Sequence, residues 1–182
     1  MLWVILALAA IGVFFVVVYN SLVRLRVLSD NAWADIDVQL KRRADLVPNL
    51  VETVKGYAGH ERETLESVTR ARQQAVELRG GTPAERAQAE NMLSQTLRSL
   101  FALSEAYPDL RANENFRDLQ GQLSSLEDAL QNARRYYNAV VRDLNTKIEQ
   151  FPSNVVANAF NFRKREFFEA DEGDRAVPQV KF

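Results

Sequence analysis

No cysteine occurs among the 182 residues. No disulfide can therefore staple this fold, and a lipid cannot be attached through a cysteine; the compartment stays open, since a cysteine-free chain suits either redox setting. His60 is the only histidine. A zinc site would have to combine it with carboxylates, poor ligand stock for that metal. No second histidine follows four residues after His60-Glu61, so the paired-histidine helix motif is missing, as are a nucleophile elbow, a phosphate loop and a dinucleotide fingerprint. No catalytic, metal or cofactor site is expected. Charge of one sign is lacking too: 23 basic residues face 24 acidic ones, which leaves no overall field to draw nucleic acid. Glycine (7) and proline (5) are sparse, and the long stretches free of both read as helix. No repeat of 20–50 residues and no low-complexity tract is present.

The most informative absence is local. Met1 to Val23 carries no charged side chain, and Arg24 is the first. Within it, Leu2 to Tyr19 is an unbroken apolar run of roughly 27 Å at helical rise, about the hydrocarbon thickness of a bilayer. Leu2, Trp3, Gly12, Val18 and Tyr19 mark this anchor. A cleaved signal peptide would need a basic start and small residues at the end of the run, yet Ala7, Ala9 and Ala10 lie in its middle and Phe14 to Tyr19 are bulky. A buried core helix would normally admit a charge within such a length. An uncleaved single-pass anchor over 1–23 is the expected reading. Arg24, Arg26, Lys41, Arg42 and Arg43 follow the span while no basic residue precedes it, which predicts an N-terminus outside and a cytoplasmic body. Ala7, Ala9, Ala10 and Gly12 are never four apart, so homo-oligomers are expected to use the body or tail as well as the span.

Beyond the anchor the chain has one domain's worth of residues. Phe116, Leu119, Leu123, Leu126, Leu130, Ala133, Tyr137, Val140, Leu144, Ile148 and Phe151 recur in steps of three and four, a helical stripe bounded by Pro108 and Pro152. A second helix is predicted from Thr82 to Tyr107, opened by Thr82-Pro83 with Glu85 in its first turn and facing inward through Met92, Leu93, Thr96, Leu97, Leu100, Phe101 and Leu103. Gly80-Gly81 before it reads as a turn favouring left-handed geometry. Leu25, Leu28, Ala32, Ile36 and Leu40 continue the membrane helix outward, and Val51 to Leu78 marks a further one. Pro48 lies between them. It is either the first turn of a new helix in a hairpin or a kink in one helix, for the stripe runs through 44, 47, 51 and 54 almost in phase. The expected class is all-α: an anchor continuing into an up-and-down, four-helix antiparallel bundle over 24–151, with a Phe-rich tail over 152–182 returning toward the lipid.

Glu61 and Arg72 fall on an apolar stripe, where charges need partners. Glu127 and Arg134 are candidates to complete an interhelical polar network, and a carboxylate active site built from Glu61, His60 and Arg134 is the weaker reading. The last 32 residues hold six of the ten phenylalanines. Phe160, Phe162, Arg163, Lys164, Arg165, Phe167 and Phe168 either cap the open end of the bundle or meet lipid or another copy of the chain.

Ala32-Trp33-Ala34-Asp35-Ile36-Asp37-Val38-Gln39-Leu40-Lys41-Arg42-Arg43, then Asp45-Leu46-Val47-Pro48-Asn49-Leu50-Val51 and Val54-Lys55-Gly56-Tyr57-Ala58-Gly59-His60-Glu61, resemble the LemA family. Tyr107-Pro108, Ala133-Arg134, Tyr137-Asn138, Phe151-Pro152 and the closing Pro178-Gln179-Val180-Lys181-Phe182 extend the resemblance over nearly the whole chain. It implies a single N-terminal span in the bacterial cytoplasmic membrane, a four-helix body inside, and a hairpin at Pro48. It implies no enzyme activity. It also implies a membrane-protein partner in envelope quality control, beside the lipid bilayer and further copies of the chain. The stretch from Gln39 to Pro48 reads as a helix end with a basic collar. A non-enzymatic, membrane-anchored scaffold is the first functional expectation, and a lipid-surface or membrane-remodelling protein is the alternative.

Overall fold

The computed structural model describes residues 1–168, all of whose regular structure is helical. In order these are α1 (Leu2–Lys55), α2 (Arg62–Glu77), a 3-10 turn (Leu78–Gly80), α3 (Pro83–Ser104), α4 (Pro108–Ala112), α5 (Glu114–Glu149) and α6 (Ser153–Ala159). A long apolar N-terminal helix thus leads into a helical bundle. The chain divides into two compact units, one of Met1–Ile36 with Ala133–Phe167, the other of Asp37–Asn132 with Phe168.

The bundle unit overturns the hairpin expected at Pro48. Helix α1 runs straight through it and ends only at Lys55, so Val51 and Val54 belong to the first helix. The break comes at Gly56-Tyr57-Ala58-Gly59, with neither glycine in left-handed geometry. Proline inside a helix removes the amide that would bond the carbonyl four residues back. That carbonyl belongs to Ala44, and Arg72 on α2 donates to it through Nε at 3.0 Å. A side chain from the neighbouring helix replaces the lost backbone donor, and the Pro48 ring points to solvent.

Helix α3 starts as its sequence demands. Thr82 Oγ1 accepts from the Glu85 amide while Glu85 Oε2 accepts from the Thr82 amide, a full capping box with Pro83 behind it. The preceding turn forms without any left-handed glycine among the described residues, contrary to expectation. Gly81 is needed for space instead: a Cβ there would sit 2.9 Å from the capping Glu85 carboxylate and 3.1 Å from the Leu78 carbonyl. Asn113 opens α5 by accepting the Phe116 amide at 2.9 Å. Within this unit Asp37 meets Arg86 and Arg43 meets Glu90 and Ser94, so α1 and α3 run the same way, as an up-and-down bundle requires. Val47, Leu50, Val54, Val68, Leu93, Leu100, Leu110 and Phe116 fill its core. Met92, expected on the inner face, is exposed.

In the other unit every residue from Met1 to Val17 is exposed, and burial begins at Val18. Val18 and Leu22 of α1 pack on Leu144 and Ile148 of α5 and on Val156 and Ala157 of α6. Trp33 packs against Tyr137 at a tilt, with ring centroids 5.3 Å apart, and Lys147 Nζ donates to Ser21 Oγ at 2.6 Å. Later residues of α5 meet earlier residues of α1, so these two segments are antiparallel.

Candidate membrane-facing site and the buried polar clusters

The end of α6 is closed by a Schellman turn. Asn161 adopts φ 60°, its amide donates to the Asn158 carbonyl, and the Phe162 amide donates to the Ala157 carbonyl. Asparagine tolerates this left-handed conformation better than other non-glycine residues. The turn directs the following chain back to α1. The rings of Phe160 and Phe162 lie 4.7 and 5.9 Å from that of Tyr19, and the Arg26 guanidinium stands 5.2 Å from the Phe162 ring centroid.

The strap that follows is held by side chains with no apolar signature. Asn145 grips the backbone of Arg165 on both sides, accepting its amide and donating to its carbonyl at 2.9 Å each. The Arg165 guanidinium bonds Ser29 at 2.7 Å and pairs with Asp30 at 2.6 Å. Lys164 pairs with Glu149. Tyr137 donates to the Glu166 carbonyl at 3.0 Å, and burial pushes its phenol pKa up. The predicted tail residues therefore separate by role. Arg165 is engaged within this unit, Phe162 is half-buried, and Phe168 is fully buried. Phe160, Arg163, Lys164 and Phe167 are exposed. Residues 169–182, including Phe182, lie outside the described residues. Asn145, Ser29 and Ser21 went unnoticed in the sequence, because an isolated polar residue beside a stripe gives no sign that it will bind a returning backbone.

The four charged residues expected to form one network go to three places in the bundle unit and one outside it. Arg72 holds the Ala44 carbonyl. Glu61 lies ahead of α2 rather than on its stripe and accepts the Tyr107 hydroxyl at 2.9 Å. Glu127 stands 3.4 Å from Arg43. Arg134, in the unit with the span, is buried. The more deeply buried cluster centres on Arg43, a residue read from sequence as part of a basic collar at a helix end. It lies within α1 with its side chain almost wholly enclosed, 3.6 Å from the equally buried Glu90 and 2.6 Å from Ser94 Oγ. Beside it is a cleft of about 280 Å³, lined also by Leu97, Phe101, Gln120 and Ser124. Arg43 already faces two carboxylates there, and a second lining arginine, Arg98, is exposed. Among the described residues, no three His, Asp or Glu side chains gather as a metal site.

The Tyr107–Glu61 contact makes a checkable prediction. The hydrogen bond to the carboxylate, then desolvation and the Glu61 charge, hold the Tyr107 phenol above its ordinary pKa. Ionising it breaks the bond, so the contact's contribution to stability is complete below the ordinary phenol value of about 10 and fades as pH rises through the higher folded value. In an ultraviolet phenolate titration, the difference between wild type and Tyr107→Phe isolates this group. Glu61→Gln is expected to return it toward the ordinary range; an unchanged midpoint would show that Glu61 is not the cause.

Comparison with known proteins agrees with this architecture. The LemA family profile matches residues 32–182. Protein LemA of Metamycoplasma hominis is 28% identical over 170 residues, covering 91% of this chain and 76% of the relative. Magnetosome protein MamQ 2 of Paramagnetospirillum magneticum is 24% identical over 190 residues, and magnetosome protein MamQ of Magnetospirillum gryphiswaldense 23%; both alignments cover 89% of this chain and 70% of the relative. With an apolar helix fit to anchor in a membrane, a helical body behind it and a family profile spanning most of its length, the chain belongs to the LemA family.

Proposed function

We propose that this protein is a non-enzymatic, membrane-anchored helical scaffold. It holds copies of itself, or a membrane-protein partner in envelope quality control, at the surface of the bacterial cytoplasmic membrane. One observation carries the reading: no linker separates the exposed apolar span from the packed residues. Val17 is exposed, while Val18 and Leu22, on the same helix, are already core. A soluble domain on a tether would not need that continuity, whereas a scaffold held at fixed height above the lipid does. The names of the relatives, LemA and magnetosome protein MamQ, are not names of enzymes. The basic residues that follow the span favour a cytoplasmic body.

Self-association is tested on full-length protein in mild detergent by size exclusion with light scattering. A discrete multimer that persists on dilution is expected. A monomer at all concentrations would remove the self-association half of the reading. Large lipid-bearing particles would favour the membrane-remodelling alternative.

A further inference from the structure

The apolar stripe of α5 runs on in phase past the helix end at Glu149 to Phe151, yet this last member behaves differently. Leu144 and Ile148 are buried, while Phe151 is 77% exposed. The contacts of α5 with α1 give its height. Lys147 lies opposite Ser21, and α5 ends two residues later at Glu149, about 3 Å further along at helical rise. In the antiparallel pair this brings the end of α5 level with Tyr19, within the charge-free stretch, and Phe151 follows in the turn beyond it. Helix α6 lies there as well, since Val156 and Ala157 pack on Val18. Its outer face carries Val155, 49% exposed, and Phe160 follows at 57%.

The thickness of the bilayer decides what these side chains meet. A hydrocarbon core of about 30 Å needs about 20 helical residues. The run Leu2–Tyr19 is barely that long, so the hydrocarbon edge falls near Tyr19 to Ser21. Groups level with Val18 and Tyr19 in the same unit then lie at that edge. Scattered apolar residues are ordinary on a water-facing surface. Phe151, Val155 and Phe160 instead continue an apolar surface that begins on the span. Just below, Arg24, Arg26 and Arg163 are exposed at the depth of the lipid headgroups, while Lys164 beside them is paired with Glu149.

We propose that the corner formed by Phe151, α6 and Phe160 is a second membrane contact. Its apolar side chains enter the interface, and the three cations bind the phosphates of anionic phospholipid. This rests on α1 being a span, and it adds to that reading a lipid class and a docking surface. The corner would hold the body against the bilayer where the single helix alone leaves it free to tilt.

The absence of native cysteine allows a direct test in lipid nanodiscs. Single-cysteine variants Phe151→Cys, Val155→Cys and Phe160→Cys of the full chain carry an environment-sensitive dye, with Val13→Cys in the span and Val38→Cys in the bundle as references. Lipid-borne quenchers at shallow depth are expected to quench the three corner sites, deep quenchers Val13→Cys, and aqueous iodide Val38→Cys. If Val13→Cys is quenched by lipid while the corner sites respond only to iodide, the corner contact is wrong and the anchor stands. If Val13→Cys also responds only to iodide, the span reading itself fails. Brominated phosphatidylglycerol is expected to quench the Phe160→Cys dye about twofold more than brominated phosphatidylcholine, and glutamine at 24, 26 and 163 to abolish that excess. Equal quenching by the two lipids in the unaltered background would overturn the anionic preference.

Discussion

Arg43→Met is expected to destabilise the bundle by about 3–5 kcal/mol, the usual cost of removing one partner from a buried ion pair. Arg43 and Glu90 are both almost fully enclosed, and Ser94 takes one guanidinium nitrogen at 2.6 Å. Taking away the arginine removes one of the contacts that hold the Glu90 carboxylate in the interior. Glu127 is a different case. Its carboxylate is a third exposed, so Glu127→Gln is expected to cost about 1 kcal/mol or less. Replacing both buried partners, as Arg43→Met with Glu90→Met, is expected to recover most of the loss, because an apolar pair of similar volume avoids the desolvation of both charges. Denaturant unfolding of the full chain in mild detergent, followed by far-ultraviolet circular dichroism, measures all of these. A double variant as unstable as Arg43→Met alone would mean that the arginine acts through its packing and not through Glu90.

The Arg43 cluster also shows how far the amino-acid pattern carries. Periodicity located the helices because a helix must bury one stripe, and the residues on that stripe are mostly apolar. Phe116, Leu123, Leu130, Tyr137 and Leu144 are buried as their spacing requires. The same arithmetic contained the buried charges. Arg43 lies three residues after Leu40 and four before Val47, and Arg86 and Glu90 stand in step with Leu93 and Leu97. Reading charge as a sign of the surface concealed them. Arg86 is paired with Asp37 at 2.6 Å, so it too is a core-facing residue with a partner. What the pattern could not supply is which partner each charge finds, since that depends on the heights at which separate helices meet. Glu61 went to Tyr107 and Arg72 to a backbone carbonyl for that reason. The tail was legible as aromatic and basic. The grip of Asn145 on Arg165 was not, because two hydrogen bonds to a passing backbone leave no periodic trace.

Pro48 and Arg72 form a pair that a double-mutant cycle can isolate. Proline in a helix interior costs about 3 kcal/mol relative to alanine, through the missing amide and the clash of its ring. Here the Ala44 carbonyl regains a donor from Arg72 Nε at 3.0 Å, which leaves the geometric part of the cost uncompensated. Pro48→Ala restores the backbone bond and is expected to stabilise the protein by about 1–3 kcal/mol. Arg72→Met removes a charged donor from a carbonyl that has no backbone partner, and about 1.5–3 kcal/mol of stability should go with it. In the Pro48→Ala background that carbonyl is already satisfied, so the same arginine substitution is expected to cost about 1 kcal/mol or less. The difference, a coupling of about 0.5–3 kcal/mol, lies at or above the scatter of independent sites. Additive effects would show that Arg72 stabilises α2 against α1 for some reason other than the carbonyl that Pro48 leaves open. A coupling of the expected size would explain why a proline can sit inside the helix that joins the span to the bundle: the neighbouring helix supplies the donor that the proline lacks, and α1 continues past Pro48 to Lys55.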